Sequence, residues 1–405
     1  MKYVIIIGDG MSDMPLKQLK GKTPLQAAKK PALNKLAKTG RCGLLKTVSD
    51  ERFPAGSDAA HLSLLGYDLS KSYSGRAPIE AASMGINMGP NDVAFRCNLI
   101  TEKDGAIIDF NAGHINSEEG AKIIRRLQKE LGQMGAEFHP GVGYRHIMVL
   151  RSKWSDAIQC KPPHDIVGKQ IKDNWPTATK PEGAKTSQFL RQIMERSNEI
   201  LKDDPINAAR TKAGKKPANM IWLWGSGKKP NLQSFKQKYG LTGSIISAVD
   251  LLKGIGRLTE LSVPDVPGAT GYLDTNYEGK VEAALSALEK GNFACVHIEA
   301  PDEAGHEGDV KKKIKAIEDL DAKVVAPILF ALEKSGEEFA IGILPDHATP
   351  IPLKTHNRDP VPFIIYNPKT KGDNLPEYSE EACAKGSLGL REGRDFMRIL
   401  LGIKD

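Results

Sequence analysis

Three aspartates, Asp9, Asp302 and Asp346, and three histidines, His306, His347 and His356, stand where a fold can bring them together. Each aspartate follows a short apolar run: Lys2 to Gly8 before Asp9, Phe293 to Glu299 before Asp302, and Phe339 to Leu344 before Asp346. Runs of this length, rich in β-branched residues and closed by Gly or Pro, predict buried strands of a parallel sheet. Open α/β sheets bind ligands beyond the carboxyl ends of their strands. Three carboxylates gathered there repel one another unless a cation holds them. The histidines extend the ligand set. Asp302 and His306 are four apart and share one face if that segment is helical. Asp346 and His347 are adjacent and project in different directions, which suits two neighbouring cations. Carboxylate with imidazole fits zinc or manganese.

Ser57 is the hydroxyl candidate. The loop Gly56-Ser57-Asp58 precedes the small, apolar stretch Ala59 to Leu65, so a helix capped by Ser57 or Asp58 is expected there. The first turn of a helix offers unpaired N–H groups and the positive end of a dipole, both favouring an anion. A serine hydroxyl is a poor nucleophile by itself, and a metal ion lowers its pKa into a useful range. Together these residues predict a metal site beside a serine that meets an anion.

The elements that must position these groups follow from the pattern. A helical stretch is expected from Thr23 to Ala37, closed by Gly40, and a second strand from Gly43 to Val48. From about Asn91 to Lys185 the texture changes. Strand-like pieces (Val93 to Thr101, Ala106 to Asp109, Tyr144 to Leu150) surround one helix, Glu118 to Leu131, opened by Asn116 with Glu119. That stretch reads as an inserted α+β domain, 91–185, within a core made of 1–90 and 186–405. In the second half of the core, Met220 to Trp224 reads as a strand. Val281 to Glu289 and Ile314 to Leu332 read as amphipathic helices, and Val361 to Tyr366 reads as the closing strand.

Composition excludes other classes. The 405 residues carry 57 Lys and Arg against 50 Asp and Glu, a net charge of +7. This mild excess is compatible with a small anionic substrate. No basic stripe interleaved with aromatics points to nucleic acid. No apolar run approaches transmembrane length, and Asp9 breaks the N-terminal run too early for a signal peptide. Five scattered cysteines, with no CxxC pair, read as free thiols in a reducing compartment, so a cytoplasmic protein is expected, a monomer or a small homo-oligomer. Neither a Walker A pattern nor GxGxxG occurs.

The motifs match a family in order across nearly the whole chain. Ile7-Gly8-Asp9-Gly10-Met11, Pro54-Ala55-Gly56-Ser57-Asp58, Gly75-Arg76-Ala77-Pro78-Ile79-Glu80-Ala81, Pro162-Pro163-His164-Asp165, Trp224-Gly225, Asp302-Glu303-Ala304-Gly305-His306 and Pro345-Asp346-His347 resemble those of the alkaline phosphatase superfamily. Within it, the resemblance is to the archaeal-type cofactor-independent phosphoglycerate mutases. It implies an α/β, alkaline-phosphatase-like core with a central, mostly parallel sheet flanked by helices, plus an inserted α+β lid. It implies two divalent ions (Mn, Mg, Co or Zn, with Mn or Mg in use) and no bisphosphoglycerate. One ion would be held by Asp9, Ser57, Asp346 and His347, the other by Asp302, His306 and His356.

By the same resemblance Ser57 would accept the phosphoryl group. In the lid, Arg145 and Arg151 would grip phosphate or carboxylate, which guanidinium forks suit. His114 would act as acid and base, His164 and Asp165 would orient substrate hydroxyls, with Asp165 a second catalytic candidate, and Arg76 and Lys229 would reach an anion. The implied reaction interconverts 2-phosphoglycerate and 3-phosphoglycerate through a phosphoserine. Two alternatives share the core motifs: a phosphotransferase acting on another small alcohol, such as a homoserine kinase, and a phosphomonoesterase.

Overall fold

The computed structural model describes residues 1–403. The chain divides into two units, Met1–Tyr73 with Asn231–Asp405, and Ser74–Pro230.

The first unit is built on a seven-stranded sheet. Across it run Gly243–Ile246, Phe293–Ile298, Lys2–Gly8, Phe339–Leu344, Val361–Tyr366, Arg41–Lys46 and Gly389–Glu392. The first four are mutually parallel; Val361–Tyr366 alone runs against its neighbours. All three expected acid-ended strands are therefore present, and they are adjacent. Their side chains are buried on both faces, as expected of a parallel sheet covered on each side by helices. Parallel register brings Gly8 level with Ile298 and Ile7 level with Leu344, so Asp9, the helix that follows Glu299 and Asp346 emerge at one edge.

Two expected helices differ in detail. The stretch from Thr23 is broken into Pro24–Ala27 and Pro31–Thr39. Pro31 drives Lys30 out of the helical region, to φ −137° and ψ 63°. The Ile314 to Leu332 helix is longer, running from Val310–Leu320 through a π turn, Asp321–Val325, into Ala326–Ser335. That turn has a use. The Asp321 carboxylate accepts the Leu33 N–H at 2.6 Å and the Ala32 N–H at 3.2 Å, capping a helix whose own preceding residue offers no side-chain cap. Val361–Tyr366 does not close the chain: Gly389–Glu392 pairs beyond Arg41–Lys46, and the helix Phe396–Leu401 follows.

The second unit is wider than the expected 91–185. Its central strand, Val93–Lys103, pairs antiparallel with Arg145–Leu150 on one side and with Met220–Lys228 on the other. Ala106–Asp109 and Ala136–His139 complete the five-stranded sheet. The helices Ser117–Leu131 and Ala184–Lys202 share its larger apolar cluster, and Arg76–Ser83 packs its alanines against Ala94, Ile147 and Val149. In sequence, 186–230 reads as core because helix and strand alternation resumes there and Met220 to Trp224 is strand-like. Its hydrogen bonds go instead to Val93–Lys103.

Among the described residues no helix is long and apolar enough to cross a membrane. All five cysteines are free.

Candidate active site

Asp9 follows the strand Lys2–Gly8, and Gly10 then turns at φ 59°. A Cβ at Gly10 would lie 2.5 Å from Asp302 Oδ1 and from Thr349 Oγ1, so only glycine admits the chain this close to Asp302. Asp302 and His306 lie on the helix Ala300–Glu307, as their spacing requires, with Asp302 Oδ2 3.2 Å from His306 Nε2. His356 adds its Nε2, 3.5 Å from Asp302 Oδ1 and 3.1 Å from His306 Nε2.

Around His347 the packing is tighter. Its Nε2 lies 3.0 Å from Ser57 Oγ, 3.3 Å from Asp346 Oδ2 and 3.5 Å from Asp9 Oδ1. The His347 and His356 rings stack 3.7 Å apart. Ligand atoms of Asp9, Asp346 and His347 fall within 4.8 Å of one another, as do those of Asp302, His347 and His356.

The hydrogen bonds settle the His347 tautomer. Thr349 donates its hydroxyl proton to Asp302 and accepts at 3.2 Å from His347 Nδ1. The proton therefore sits on Nδ1, and a bare lone pair on Nε2 faces two carboxylates and the serine oxygen. Burial pushes His347 down to about 4, so it is neutral at pH 7. Burial, then the charges of Asp346 and Asp302, raise the Asp9 carboxyl well above its usual value. Burial opposes ionisation of Asp346 too, yet the imidazoles of His347 and His61 hold it below the carboxylate range. The hydrogen bond to Asp302 lifts His306 to about 9.

Two buried oxygens, Asp9 Oδ1 and Asp346 Oδ2, have no hydrogen-bond partner. Orphaned carboxylate oxygens turned on an imidazole lone pair are unfavourable as they stand, and are the donor set that a divalent cation satisfies. The residues present fit the expected ions.

Ser57 is the first residue of the helix Ser57–Leu64, and Gly56 is its N-cap. The expected side-chain cap is therefore absent. The Ser57 hydroxyl is spent on His347, while Asp58 accepts from the Tyr73 hydroxyl at 2.7 Å and from the Ala59 N–H. Ser57 is partly exposed, as a group that meets substrate must be.

The loops that carry these ligands are tied from beneath. The Lys313 ammonium, wholly buried, donates to Asp13 Oδ2 at 2.7 Å, to the Thr349 carbonyl at 2.8 Å and to the Ser12 carbonyl at 3.1 Å. Lys313→Met would leave Asp13 a buried, unpaired charge. We expect it to cost about 3–5 kcal/mol of stability, read as a lower urea midpoint; an unchanged midpoint would refute the tie.

The second unit gathers some of the expected anion-binding residues and not others. Arg76 bonds Glu80 through Nε at 2.8 Å, and the same carboxylate holds Arg96 at 2.9 Å. Arg96 lies over the Trp224 ring at 4.2 Å. Burial lowers Arg96 to about 10, and Arg76 and Arg145 push it the same way. Two guanidinium groups thus share one carboxylate, Glu80, and the charge of Arg145 also reaches it. Although burial opposes its ionisation, Arg96, Arg76 and Arg145 keep it ionised. Arg145 is exposed, over Tyr144. His164 sits edge-on to Trp224 and Phe110, with Asp165 beside it and exposed.

Arg151 does not join them. It lies past the far end of Arg145–Leu150, about 20 Å along the strand from Arg145, and its guanidinium is bound to Asp92 and Glu137. That clamp holds Arg151 apart from Arg76, Arg96 and Arg145. His114 is exposed on a turn with φ 52°, held by Asn111, and Lys229 is exposed just past Met220–Lys228. Arg96, His297 and Thr349 were missed. The signal for the first two was a charged or polar residue inside an otherwise apolar run.

A mostly parallel α/β sheet thus gathers a serine, carboxylates and imidazoles beyond its strand ends. Comparison with known proteins gives the family. The family described as 2,3-bisphosphoglycerate-independent phosphoglycerate mutase matches residues 37–207. A protein of that name from Methanosarcina barkeri is 50% identical over 405 residues, covering 100% of both chains. The solved structure of a cofactor-independent phosphoglycerate mutase from Thermoplasma acidophilum is 31% identical, covers 100% of both chains and has a TM-score of 0.69. The structure of a protein from Pyrococcus horikoshii is 30% identical, with a TM-score of 0.84 over 99% of this chain and 96% of that one. The chain belongs to the 2,3-bisphosphoglycerate-independent phosphoglycerate mutase family.

Proposed function

We propose that the protein interconverts 2-phosphoglycerate and 3-phosphoglycerate without bisphosphoglycerate, through a phosphoserine at Ser57 beside two divalent cations. The observation that carries this reading is the Ser57 hydroxyl 3.0 Å from an imidazole lone pair that two orphaned carboxylate oxygens also face. Asp9, Ser57, Asp346 and His347 would hold one cation, and Asp302, His306 and His356 the other. Bound there, the cations would acidify the serine hydroxyl and neutralise the charge of the phosphoryl oxygens.

The remaining work falls to the chain. Ser57 Oγ, deprotonated, attacks phosphorus; the bond from phosphorus to the glycerate oxygen breaks, and that oxygen takes a proton. The glycerate then turns. Its other hydroxyl gives up a proton, takes the phosphoryl group back and frees Ser57. His114 and Asp165 are the candidates for moving these protons. Arg76, Arg145 and Arg96 have the chemistry to hold the carboxylate of the glycerate throughout. Water must be kept from the phosphoserine, since its attack yields free phosphate.

The test is phosphorus NMR of the purified protein with manganese and 3-phosphoglycerate alone. The 2-phosphoglycerate resonance should grow to equilibrium with little inorganic phosphate. Chiefly free phosphate would make the protein a phosphatase. No consumption, with nucleotide-dependent phosphorylation of homoserine, would make it a kinase. Arg145→Ala should slow isomerisation at least about tenfold, since truncating a desolvated charged contact costs roughly 2–5 kcal/mol. It should also raise the phosphate released per turnover; an unchanged partition would remove Arg145 from the substrate grip.

A further inference from the structure

His297 lies outside the ligand set, yet it is wholly buried and bonded at both ring nitrogens. It stands near the end of Phe293–Ile298, the strand beside Lys2–Gly8. Its Nε2 is 2.9 Å from Asp9 Oδ2, and its Nδ1 is 3.2 Å from Ser247 Oγ. The Ser247 oxygen accepts the Val249 N–H at 3.0 Å and keeps its own hydrogen to give; because an ionised carboxylate oxygen only accepts, Nε2 is the donor to Asp9 and Nδ1 the acceptor from Ser247. An imidazole that accepts at Nδ1 carries its proton on Nε2 and donates it to Asp9.

We infer that Ser247 and His297 form a positioning pair that occupies Asp9 Oδ2 and so fixes Oδ1 toward the cation site shared with Asp346 and His347. The inference rests on the two-cation reading above and adds a second layer to it. Asp9 Oδ1 is the oxygen left without a partner, and it lies 3.5 Å from His347 Nε2. The donor sits on Oδ2, so it orients the carboxylate while leaving Oδ1 free to face the cation site. Hydrogen-bond partners of this kind fix the geometry of a ligand and tune its affinity.

The test uses the full chain and manganese ions, with binding followed by electron paramagnetic resonance, and histidine-labelled protein for nitrogen NMR. Wild type should bind two ions. His297→Asn is too short to reach Asp9 and should weaken one site by about 10–100-fold while leaving the other unchanged. His297→Gln places an amide N–H near the lost Nε2 and should restore most of that affinity, which a merely structural role would not predict. In ion-free wild type the His297 signals should show a protonated Nε2 and a bare Nδ1, and Ser247→Ala should move the Nδ1 resonance.

If wild type binds no ion, the two-cation reading fails and this inference falls with it. If wild type binds two ions and His297→Asn binds both as tightly, the positioning pair alone is refuted. A proton on Nδ1, or an Nδ1 resonance untouched by Ser247→Ala, refutes it without any variant at His297.

Discussion

Ser57→Ala is expected to abolish isomerisation, lowering turnover by about 10⁴–10⁶-fold, the range seen when a covalent nucleophile is removed from a unit that acts together. The change should leave the fold intact. Ser57 is the first residue of its helix, and its hydroxyl caps nothing: its partner is His347 Nε2 at 3.0 Å. Asp9, Asp346 and His347 remain, so manganese should still bind, with one ligand fewer. The covalent route has a direct signature. Wild type quenched in acid during turnover should yield a phosphorylated peptide spanning Ser57, and the variant should yield none. Substantial isomerase activity in Ser57→Ala would refute the phosphoserine and leave the cations acting on a direct transfer between hydroxyls.

The acid-ended strands were legible because a parallel sheet leaves its mark locally. Each is short, apolar on both faces and stopped by a turn residue, and adjacency then follows from register. The Asp302 and His306 pairing was legible for the same reason, since helical spacing is a local property. What the sequence concealed depends on pairing over long range. Met220–Lys228 looks like any buried strand, and only its hydrogen bonds to Val93–Lys103 place it in the second unit. Arg145 and Arg151 look equivalent on paper, but a strand between them sends one to the arginine group and the other to Asp92 and Glu137. His297 and Arg96 sit inside apolar runs, where an isolated polar residue reads as an exception within the core. Their meaning comes from Asp9 and Glu80, which are distant in sequence. Thr349 gave no signal, because setting a tautomer takes one hydroxyl at one distance.

Removing divalent ions is expected to abolish activity and to lower the melting temperature together, because one set of charges governs both. Without a cation, Asp9, Asp302 and Asp346 are buried within reach of one another, and their mutual repulsion is what raises Asp9 beyond the effect of burial alone. An ion bound only by the folded chain at about 100 times its dissociation constant adds about 2.7 kcal/mol. For a unit of this size that is a rise of roughly 5–10 °C in melting temperature. Manganese, cobalt or magnesium added after exhaustive chelation should restore some activity along with the transition. Asp9→Asn separates the two effects. The amide removes one charge from the cluster, so the ion-free variant should melt no lower than ion-free wild type. It should also lose the part of the manganese-induced rise that comes from the ion Asp9 holds, and its activity should not return. Were the three carboxylates only a structural network with no ion, Asp9→Asn would leave activity intact, and wild type would melt at the same temperature with and without manganese. Full activity in a sample verified to be free of metal would be equally decisive against the two-cation site.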